Sequence, residues 1–195
     1  MKLAHREFWF NPMIAFILGT GLATLGLAVA GFQGTATILC LAGGAAVYAI
    51  FEYLVHRFLL HRFPRIAPAM HRGHAEHHRQ PTELEHLFSP IRYDAVLYLG
   101  YSLANLAIFR DWRLASAVVA GSALFQLYYQ WMHYAAHQPI KLATPWGRWM
   151  RKKHLLHHYL DEQSWYGVSH PVMDYLFGTS KPRSNKRKDA GQKRA

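Results

Sequence analysis

Residues 13–30 read MIAFILGTGLATLGLAVA, eighteen positions without a charged side chain. A second apolar run follows at residues 35–55 and is interrupted only by Glu52. At about 1.5 Å per residue, each run can cross, or nearly cross, a hydrocarbon core of about 30 Å. The two stretches therefore predict a pair of membrane-spanning helices in the first third of the chain.

Two further uncharged runs lie later in the sequence. Residues 114–132 give nineteen positions, enough for a span, whereas residues 95–109 give fifteen and contain Asn105. A run of fifteen is short for a full crossing, so the sequence leaves open whether this segment spans the bilayer. Together with the first pair, these runs predict an all-α, polytopic membrane protein with about four transmembrane helices.

The distribution of positive charge favours that topology. The chain has 22 Lys and Arg against 11 Asp and Glu, a net charge of +11. With four crossings, 20 of the Lys and Arg residues lie on one side of the membrane, and only Arg110 and Arg113 lie on the other. Because positive loops stay in the cytoplasm, the amino terminus, residues 57–92 and the carboxy-terminal third are predicted to be cytoplasmic. The basic charge is explained in this way without a nucleic-acid partner, and none is expected.

The length and cysteine content limit the domain organisation. One cysteine excludes a disulfide scaffold and any paired-cysteine metal site, and 195 residues suit one domain. Residues 1–180 are predicted to form a single integral-membrane domain. Residues 181–195 hold seven Lys and Arg, one acid and no apolar periodicity, so a disordered basic tail against anionic headgroups is expected.

Histidines carry the chemical signal. The chain has 14 of them, and ten fall into four short clusters at the predicted cytoplasmic side: His56-x4-His61, His74-x2-His77-His78, His133-x3-His137 and His154-x2-His157-His158. On a regular helix each of the last three clusters spans at most about 100° and can present its imidazoles to one side. His56 and His61 are about 140° apart, so each is expected to serve a different ion unless the helix breaks.

The number of imidazoles points to two metal ions. A divalent transition ion takes about four to six ligands, so ten imidazoles fit two ions with about five nitrogens each. A single histidine pair is more often a hydrogen-bonded packing feature, but four clusters on one predicted side of a membrane favour metal binding. The sequence thus predicts a histidine-rich helical cap on the cytoplasmic side of the spans.

The motifs HRFLLH, HAEHH, HYAAH and HLLHH, followed by YGVSHPVMDYLFGT at residues 166–179, resemble the fatty acid hydroxylase/sterol desaturase superfamily of membrane enzymes. The resemblance covers about residues 52–179. It implies a four-span fold whose cap holds two irons, with zinc as an alternative occupant in purified protein. It also implies O2 as co-substrate, hydroxylation of a C–H bond on a membrane-lipid acyl chain, and electrons from a separate ferredoxin or cytochrome protein.

The resemblance also implies which residues bind the metals. The residues that match the ligand motifs of the family are His56, His61, His74, His77, His78, His133, His137, His154, His157 and His158. His71 departs from the pattern, because it lies three residues before His74 and can either replace a ligand or support one.

Other side chains are candidates for supporting or substrate-facing roles. Carboxylates that orient ligand N–H groups are expected from the set Glu52, Glu76, Asp161, Glu162 and Asp174, with Asp174 preferred. Trp165, Tyr166 and His170 follow the last histidine cluster and can line the headgroup end of a lipid site. Packing within the cap is the competing interpretation for these three.

Two other functions remain open from the sequence. A carotenoid hydroxylase or ketolase would share the histidine plan, and a non-catalytic zinc-binding membrane protein would need only the ligands. A membrane metalloprotease is disfavoured because the chain has no H-E-x-x-H motif. The sequence does not decide between hydroxylation and desaturation, or identify the lipid, the carbon position, the electron donor or the oligomeric state.

Overall fold

The computed structural model describes residues 2–183, with side chains from residue 6 onward, and over that range its regular elements are all helices. Nearly all of the predicted basic tail, residues 184–195, lies outside the described residues. The elements in chain order are α1 (Lys2–Trp9), α2 (Pro12–Ala30), α3 (Thr35–Leu54), a π-helix named π1 (Val55–Arg62), α4 (Pro68–Arg79), α5 (Leu84–Leu87), α6 (Ile91–Phe109), α7 (Trp112–His137), α8 (Pro145–Tyr159) and α9 (Val172–Leu176).

Capping residues set the starts of the long helices. The Asn11 side chain accepts a hydrogen bond from the Met13 N–H at 2.9 Å, and Asp111 does the same for Arg113 at 2.9 Å. Thr144 caps α8 through the Gly147 N–H at 3.0 Å. These contacts satisfy N–H groups that the first helical turn leaves without a partner, so each helix begins where its cap lies.

Helix α7 is the centre of the bundle and packs against α2, α3, α6 and α8. Its contact with α3 is the tightest, because a methyl group on Gly44 would lie 2.0 Å from the carbonyl oxygen of Val118. A methyl on Gly121 would likewise lie 1.9 Å from the carbonyl of Leu41. The two backbones therefore touch at paired glycines, a packing mode common between helices in membranes.

Two segments in the described part of the chain, Pro12–Ala30 and Thr35–Arg62, are long and apolar enough to cross a membrane. Helices α6 and α7 are less apolar than these two segments and do not qualify as membrane spans by hydropathy. In α7 the cause is a set of buried polar side chains, including Gln126 and Gln130, which face the interior of the bundle. The predicted third and fourth crossings, and the cytoplasmic placement of the cap, therefore stay predictions.

Helix α6 is longer than the apolar run that predicted it. It starts at Ile91, four residues before the run, and extends for 19 residues to Phe109. At about 1.5 Å per residue, it is about 28 Å long. The helix ends at Arg110, which has a left-handed backbone (φ 51°). The four added residues include Arg92 and Asp94, so the apolar part of α6 is still fifteen residues long, and a crossing by this helix stays a prediction.

Candidate metal centre

Ten imidazoles meet in two neighbouring groups, and within each group the ligand nitrogens all lie within 4.8 Å of one another. The first group comprises His56, His61, His74, His78 and His157, and the second group comprises His77, His133, His137, His154 and His158. The rings of His78 and His158 stack at 4.0 Å between centroids, which places the groups side by side. The division into five and five is the one expected from the number of histidines.

The sequence clusters do not map one-to-one onto the groups. Helix α4 directs His77 to the second group and its other two ligands to the first. Helix α8 directs His157 to the first group and His154 and His158 to the second. The two cap helices thus serve both groups, and they hold the groups in contact.

The expectation for His56 and His61 is wrong. Both belong to the first group, with ring centroids 5.1 Å apart. The reason is that residues Val55–Arg62 form a π-helix rather than an α-helix. In a π-helix the hydrogen bonds join residues five apart, so side chains five apart return to nearly the same face. The local helix type therefore brings both imidazoles to one centre.

The imidazoles of the first group approach one another through their Nε2 atoms. His74 Nε2 lies 3.1 Å from that of His56, 2.9 Å from that of His61 and 3.1 Å from that of His78. Two nitrogens bound at right angles to one ion at about 2.1 Å are separated by about 3.0 Å. The spacing is therefore that of neighbouring ligands around one transition-metal ion.

The second group shows the same spacing. His133 Nε2 lies 3.0 Å from that of His77, and His154 Nε2 lies 2.8 Å from that of His137 and 3.1 Å from that of His158. Imidazole nitrogen is a ligand suited to iron, zinc, copper and nickel. The donor set and its geometry fit one such ion in each group.

Burial favours the neutral form of several cap histidines in the two groups. Burial, reinforced by neighbouring imidazoles, lowers the pKa of His74, His154 and His157 well below the usual value. The same causes lower the pKa of His77 to about 2, and burial lowers that of His78 to about 4. A neutral imidazole keeps a lone pair, so these side chains are ready to bind a cation without losing a proton.

Backbone carbonyls fix the orientation of two ligands in the first group. The Nδ1–H of His56 donates to the carbonyl of Tyr166 at 2.6 Å, and the Nδ1–H of His157 donates to the carbonyl of Ser164 at 2.8 Å. Since a carbonyl can only accept, each ring carries its proton on Nδ1 and directs the lone pair of Nε2 into the group.

The expected carboxylate partners act differently from the prediction. Glu52 accepts the N–H groups of Val168 at 2.8 Å and Ser169 at 2.9 Å, and it also accepts the hydroxyl of Ser169. Asp174 accepts the N–H groups of Tyr166 and Gly167, both at 2.9 Å. These two acids hold backbone rather than imidazole, so the predicted direct contact between carboxylate and ligand is wrong for them.

The other candidate acids lie farther out. Asp161 accepts the Ser164 hydroxyl at 2.8 Å, and its pKa is lowered because N–H and O–H donors surround it. Glu76 pairs with Arg79 at 3.0 Å on the outer side of α4, and Glu162 is exposed. Burial raises the pKa of Asp174, while its hydrogen-bond donors oppose that shift. Asp174 is therefore the candidate most closely tied to the centre, through the backbone.

The remaining candidates separate into neighbours and non-neighbours of the groups. The ring of Tyr166 lies 5.7, 5.4 and 5.5 Å from those of His56, His61 and His157, so it covers the first group. His71 belongs to neither group and donates to the carbonyl of Leu60 at 2.6 Å. It supports π1 rather than replacing a ligand.

His170 and Trp165 have positions that the sequence did not define. His170 lies outside both groups, with its ring 5.9 Å from that of Phe125 on α7. Trp165 is buried, has a left-handed backbone (φ 56°) and donates its indole N–H to the carbonyl of Ser180 at 2.7 Å. Trp165 is thus a packing residue of the cap rather than part of an exposed headgroup site.

Sequence reasoning missed the roles of Gly167 and Thr179, although both lie in the motif YGVSHPVMDYLFGT. A methyl group on Gly167 would lie 2.1 Å from the carbonyl of His170 and 2.9 Å from Asp174. Thr179 donates its hydroxyl to Asp174 at 2.7 Å. The spacing of Gly167, Asp174 and Thr179 within one short segment could have indicated these roles. In the structure the segment folds so that both Gly167 and Thr179 contact the Asp174 carboxylate.

Comparison with known proteins gives an independent result. Residues 41–179 match the family model described as "Fatty acid hydroxylase". The chain is similar to the Homo sapiens "Fatty acid 2-hydroxylase", with 28% identity over 147 residues, 71% of this chain and 38% of that protein. It is also similar to the Saccharomyces cerevisiae "Ceramide very long chain fatty acid hydroxylase SCS7", with 30% identity over 175 residues, 86% of this chain and 43% of that protein.

A solved structure agrees with the sequence comparison. The structure titled "Full length scs7p (only hydroxylase domain visible)" superposes with a TM-score of 0.78 at 28% identity, covering 91% of this chain and 69% of that chain. The chain spans less than half the length of the human and yeast relatives named above. The similarity therefore concerns only part of each of those two proteins.

Proposed function

The chain belongs to the fatty acid hydroxylase family, and on that premise we propose that it hydroxylates a C–H bond of a membrane-lipid acyl chain, using O2 at a dinuclear iron centre. The observation that carries the proposal is the convergence of ten imidazoles into two groups of five. The named relatives act on fatty acids and ceramides by their descriptions, which supports a lipid substrate.

In this proposal each histidine group holds one iron. Bound iron would supply the redox chemistry and the O2-binding position that no amino-acid side chain can provide. Zinc fits the same nitrogens but has no redox chemistry, so it would be an inactive occupant of purified protein. The chain contributes the imidazole ligands, and the carbonyls of Tyr166 and Ser164 fix the orientation of two of them, His56 and His157.

The proposed path of the acyl chain lies between α3 and α7. An apolar groove of about 390 Å³ is lined there by residues that include Leu41, Gly121 and Phe125. Along α7, Phe125, Tyr129 and His133 follow at four-residue steps, and the Tyr129 ring stacks on that of His133 at 6.0 Å. An acyl chain in this groove would keep its apolar surface away from water and approach the second group.

The membrane topology is part of the proposal. We infer that α2, α3 continued by π1, α6 and α7 cross the bilayer and that the histidine groups lie at the cytoplasmic side. A Cys40→Ala background carrying Arg110→Cys or Arg79→Cys tests it in sealed vesicles of known orientation. A membrane-impermeant thiol reagent should label the two positions from opposite sides. Labelling of both from the same side would contradict the four-crossing arrangement.

The proposed reaction requires a source of electrons. One substrate C–H bond, O2, two electrons and two protons give one alcohol and one water, and we propose that a ferredoxin or cytochrome protein delivers the two electrons. On α8, Arg148 and Arg151 are engaged, donating to the carbonyls of Ala143 at 2.7 Å and Ile140 at 2.9 Å. Lys152 is exposed, and Lys153 lies over the ring of Trp165 at 5.5 Å. We propose that these two lysines receive an acidic donor.

Charge reversal tests the donor site. The variant Lys152→Glu/Lys153→Glu should slow reduction by an acidic ferredoxin at low salt and should remove most of the salt dependence. Arg72→Glu/Lys141→Glu, at two other exposed positions, is the control, because it changes the net charge by the same amount. Equal slowing in both variants, or no slowing in either, would refute docking at Lys152 and Lys153.

The decisive experiment for the proposed function follows the oxygen atom. Cells expressing the chain are grown under ¹⁸O2, their lipids are hydrolysed, and hydroxylated acyl chains are measured by mass spectrometry. The expected result is ¹⁸O in the hydroxyl for the wild type and for His86→Ala, whose histidine lies outside both groups. The double variant His133→Ala/His157→Ala should form none.

Other outcomes identify the competing functions. A change in carotenoid mobility without hydroxylated acyl chains would indicate a carotenoid hydroxylase or ketolase. Two zinc ions per purified chain, with iron-loaded protein forming no oxygenated product, would indicate a non-catalytic zinc protein. Either result would overturn the proposed lipid hydroxylation.

A further inference from the structure

The two histidine groups differ in how their ligands are held. A short buried segment, residues 164–169, passes beside the first group, and we name it the strap. Its carbonyls at Ser164 and Tyr166 accept the Nδ1–H groups of His157 and His56. Every residue of the strap is buried. The strap thus reaches two ligands that come from different elements, α8 and π1.

The backbone of the strap is strained at the residue between these two carbonyls. Trp165 has φ 56°, a region that residues with a Cβ rarely occupy. Its backbone N–H donates to the carbonyl of Thr179 at 2.8 Å, and its indole N–H donates to the carbonyl of Ser180 at 2.7 Å. Strain of this kind persists only where the surroundings fix the conformation, and it concentrates at functional sites.

Two buried carboxylates hold four of the six residues of the strap. Asp174, 2% exposed, accepts the N–H groups of Tyr166 and Gly167, and Glu52, 4% exposed, accepts those of Val168 and Ser169. Four successive N–H groups therefore bind two carboxylates, which leaves the strap little freedom to move. Glu52 also precedes His56 by one helical turn, so one helix carries both an anchor and a ligand.

Within residues 6–183, whose side chains the structure describes, no backbone segment makes an equivalent contact to the second group. Among the described residues, the Nδ1 atoms of His77, His154 and His158 are buried without a hydrogen-bond partner. Hydrogen bonds to the second ring nitrogen fix ligand orientation and raise ligand basicity, and their loss typically costs about 10–100-fold in metal affinity. The described contacts therefore favour the first group for preorganised binding.

We propose that the strap is a positioning device for one metal ion only, and that Asp174 and Glu52 act on that ion through backbone carbonyls without touching it. The inference rests on the proposed dinuclear centre and adds that its two halves are unequal. The ion in the first group is bound more tightly because two of its five ligands, His56 and His157, are held before it arrives. The ion in the second group depends on its imidazoles alone.

Metal binding to full-length protein in detergent tests the proposal. Metal-free protein is titrated with Co²⁺, followed by absorption, and the bound metal is counted by mass spectrometry. The wild type should bind two ions, one tighter than the other. Asp174→Asn, which places an amide where an acceptor faces two N–H groups, should weaken the tighter ion at least about tenfold and leave the weaker ion unchanged. Glu52→Gln should act in the same direction.

Asp94→Asn is the matched control for loss of a buried carboxylate. Asp94 is 6% exposed and accepts hydrogen bonds from Gln126 at 2.6 Å and Ser89 at 3.0 Å, away from both groups. It should keep both affinities. Thermal unfolding followed by circular dichroism shows whether Asp174→Asn remains folded to the same extent as this control.

Double variants assign the affected ion. In His157→Ala protein the remaining ion lies in the second group, so adding Asp174→Asn should leave its Co²⁺ affinity unchanged. In His133→Ala protein the remaining ion lies in the first group, so adding Asp174→Asn should weaken its affinity at least about tenfold. Equal weakening of both ions by Asp174→Asn, or of neither, would overturn the strap proposal. A wild type that does not bind two ions would instead refute the dinuclear centre itself.

Discussion

The two histidine groups have the same number of ligands and nearly the same spacing, but they are built differently. In the second group, His133 and His137 on α7 and His154 and His158 on α8 are pairs four residues apart on regular α-helices. The first group needs a π-helix to unite His56 with His61. A regular helical repeat is therefore enough to assemble one group, whereas the other depends on an irregular turn and on the strap.

The two groups also depend on each other through the helices that carry them. Helix α3 continues into π1, which serves only the first group, and α7 serves only the second. The contact between α3 and α7 at Gly44 and Gly121 thus sets the position of one group relative to the other. The difference in construction raises the question of whether the groups also differ in importance.

Removing one histidine from each group answers that question, and these two variants should lower product formation more than any other variant discussed below. His74→Ala removes the nitrogen at the centre of the first group, and His154→Ala removes its counterpart in the second. We expect each to lose one of two bound ions and to lower product formation at least about 100-fold, because ligand loss costs more than loss of a supporting contact. Metal analysis and lipid mass spectrometry of the same preparations measure both.

His86→Ala is the control, since it removes an imidazole outside both groups. If His154→Ala kept more than a tenth of the wild-type product, the second group would be a structural site and the chemistry would belong to the first group alone. The prediction that both groups are needed for product formation would then be wrong. The structural difference between the two groups would not be affected.

The sequence predicts one group better than the other for a physical reason. Side-chain periodicity reports α-helical faces, so the pairs on α7 and α8 were assigned to one side correctly, and the count of ten indicated two sets. A π-helix has no comparable residue signature, and the 140° separation expected for His56 and His61 was wrong. The strap could not be predicted, because every residue has a backbone carbonyl and the residue types do not show which carbonyls accept a hydrogen bond from a histidine.

A related limit applies to the prediction of membrane spans, because mean hydropathy averages over all faces of a helix. Hydropathy identified α2 and α3, whose outward side chains are apolar. In α7 the buried Gln126 and Gln130 lower the average although they face the bundle, so hydropathy alone undercounts a helix that is polar only on its inner face. The resemblance inferred from the histidine motifs is confirmed for the fatty acid hydroxylase family.

An intermediate effect is expected where the two groups are joined. Gly44→Ala would place a methyl group against the Val118 carbonyl and push α3 away from α7. We expect a loss of about 1–3 kcal/mol in stability, seen as a lower thermal midpoint in detergent, because overpacking at a backbone contact has no flexible side chain to absorb it. Metal binding should weaken in both groups.

The adjacent Gly43→Ala is a close control, because nothing lies within 4 Å of the added methyl. Alanine is the better helix former, so this change should be neutral or stabilising by up to about 1 kcal/mol. A thermal midpoint that fell equally in both variants would show that α3 tolerates neither change for reasons unrelated to α7.

The smallest effect concerns support for the irregular turn. His71 donates to the carbonyl of Leu60, which lies in π1 next to His61. His71→Ala removes one hydrogen bond, worth about 0.5–1.5 kcal/mol, so the Co²⁺ affinity of the first group should fall by about two- to tenfold. The second group should be unaffected, and Arg72→Ala, an exposed neighbour, should change neither. Loss of a whole ion in His71→Ala would instead show that this histidine is a ligand, and the first group would then require a rearrangement of α4 that brings His71 beside His61.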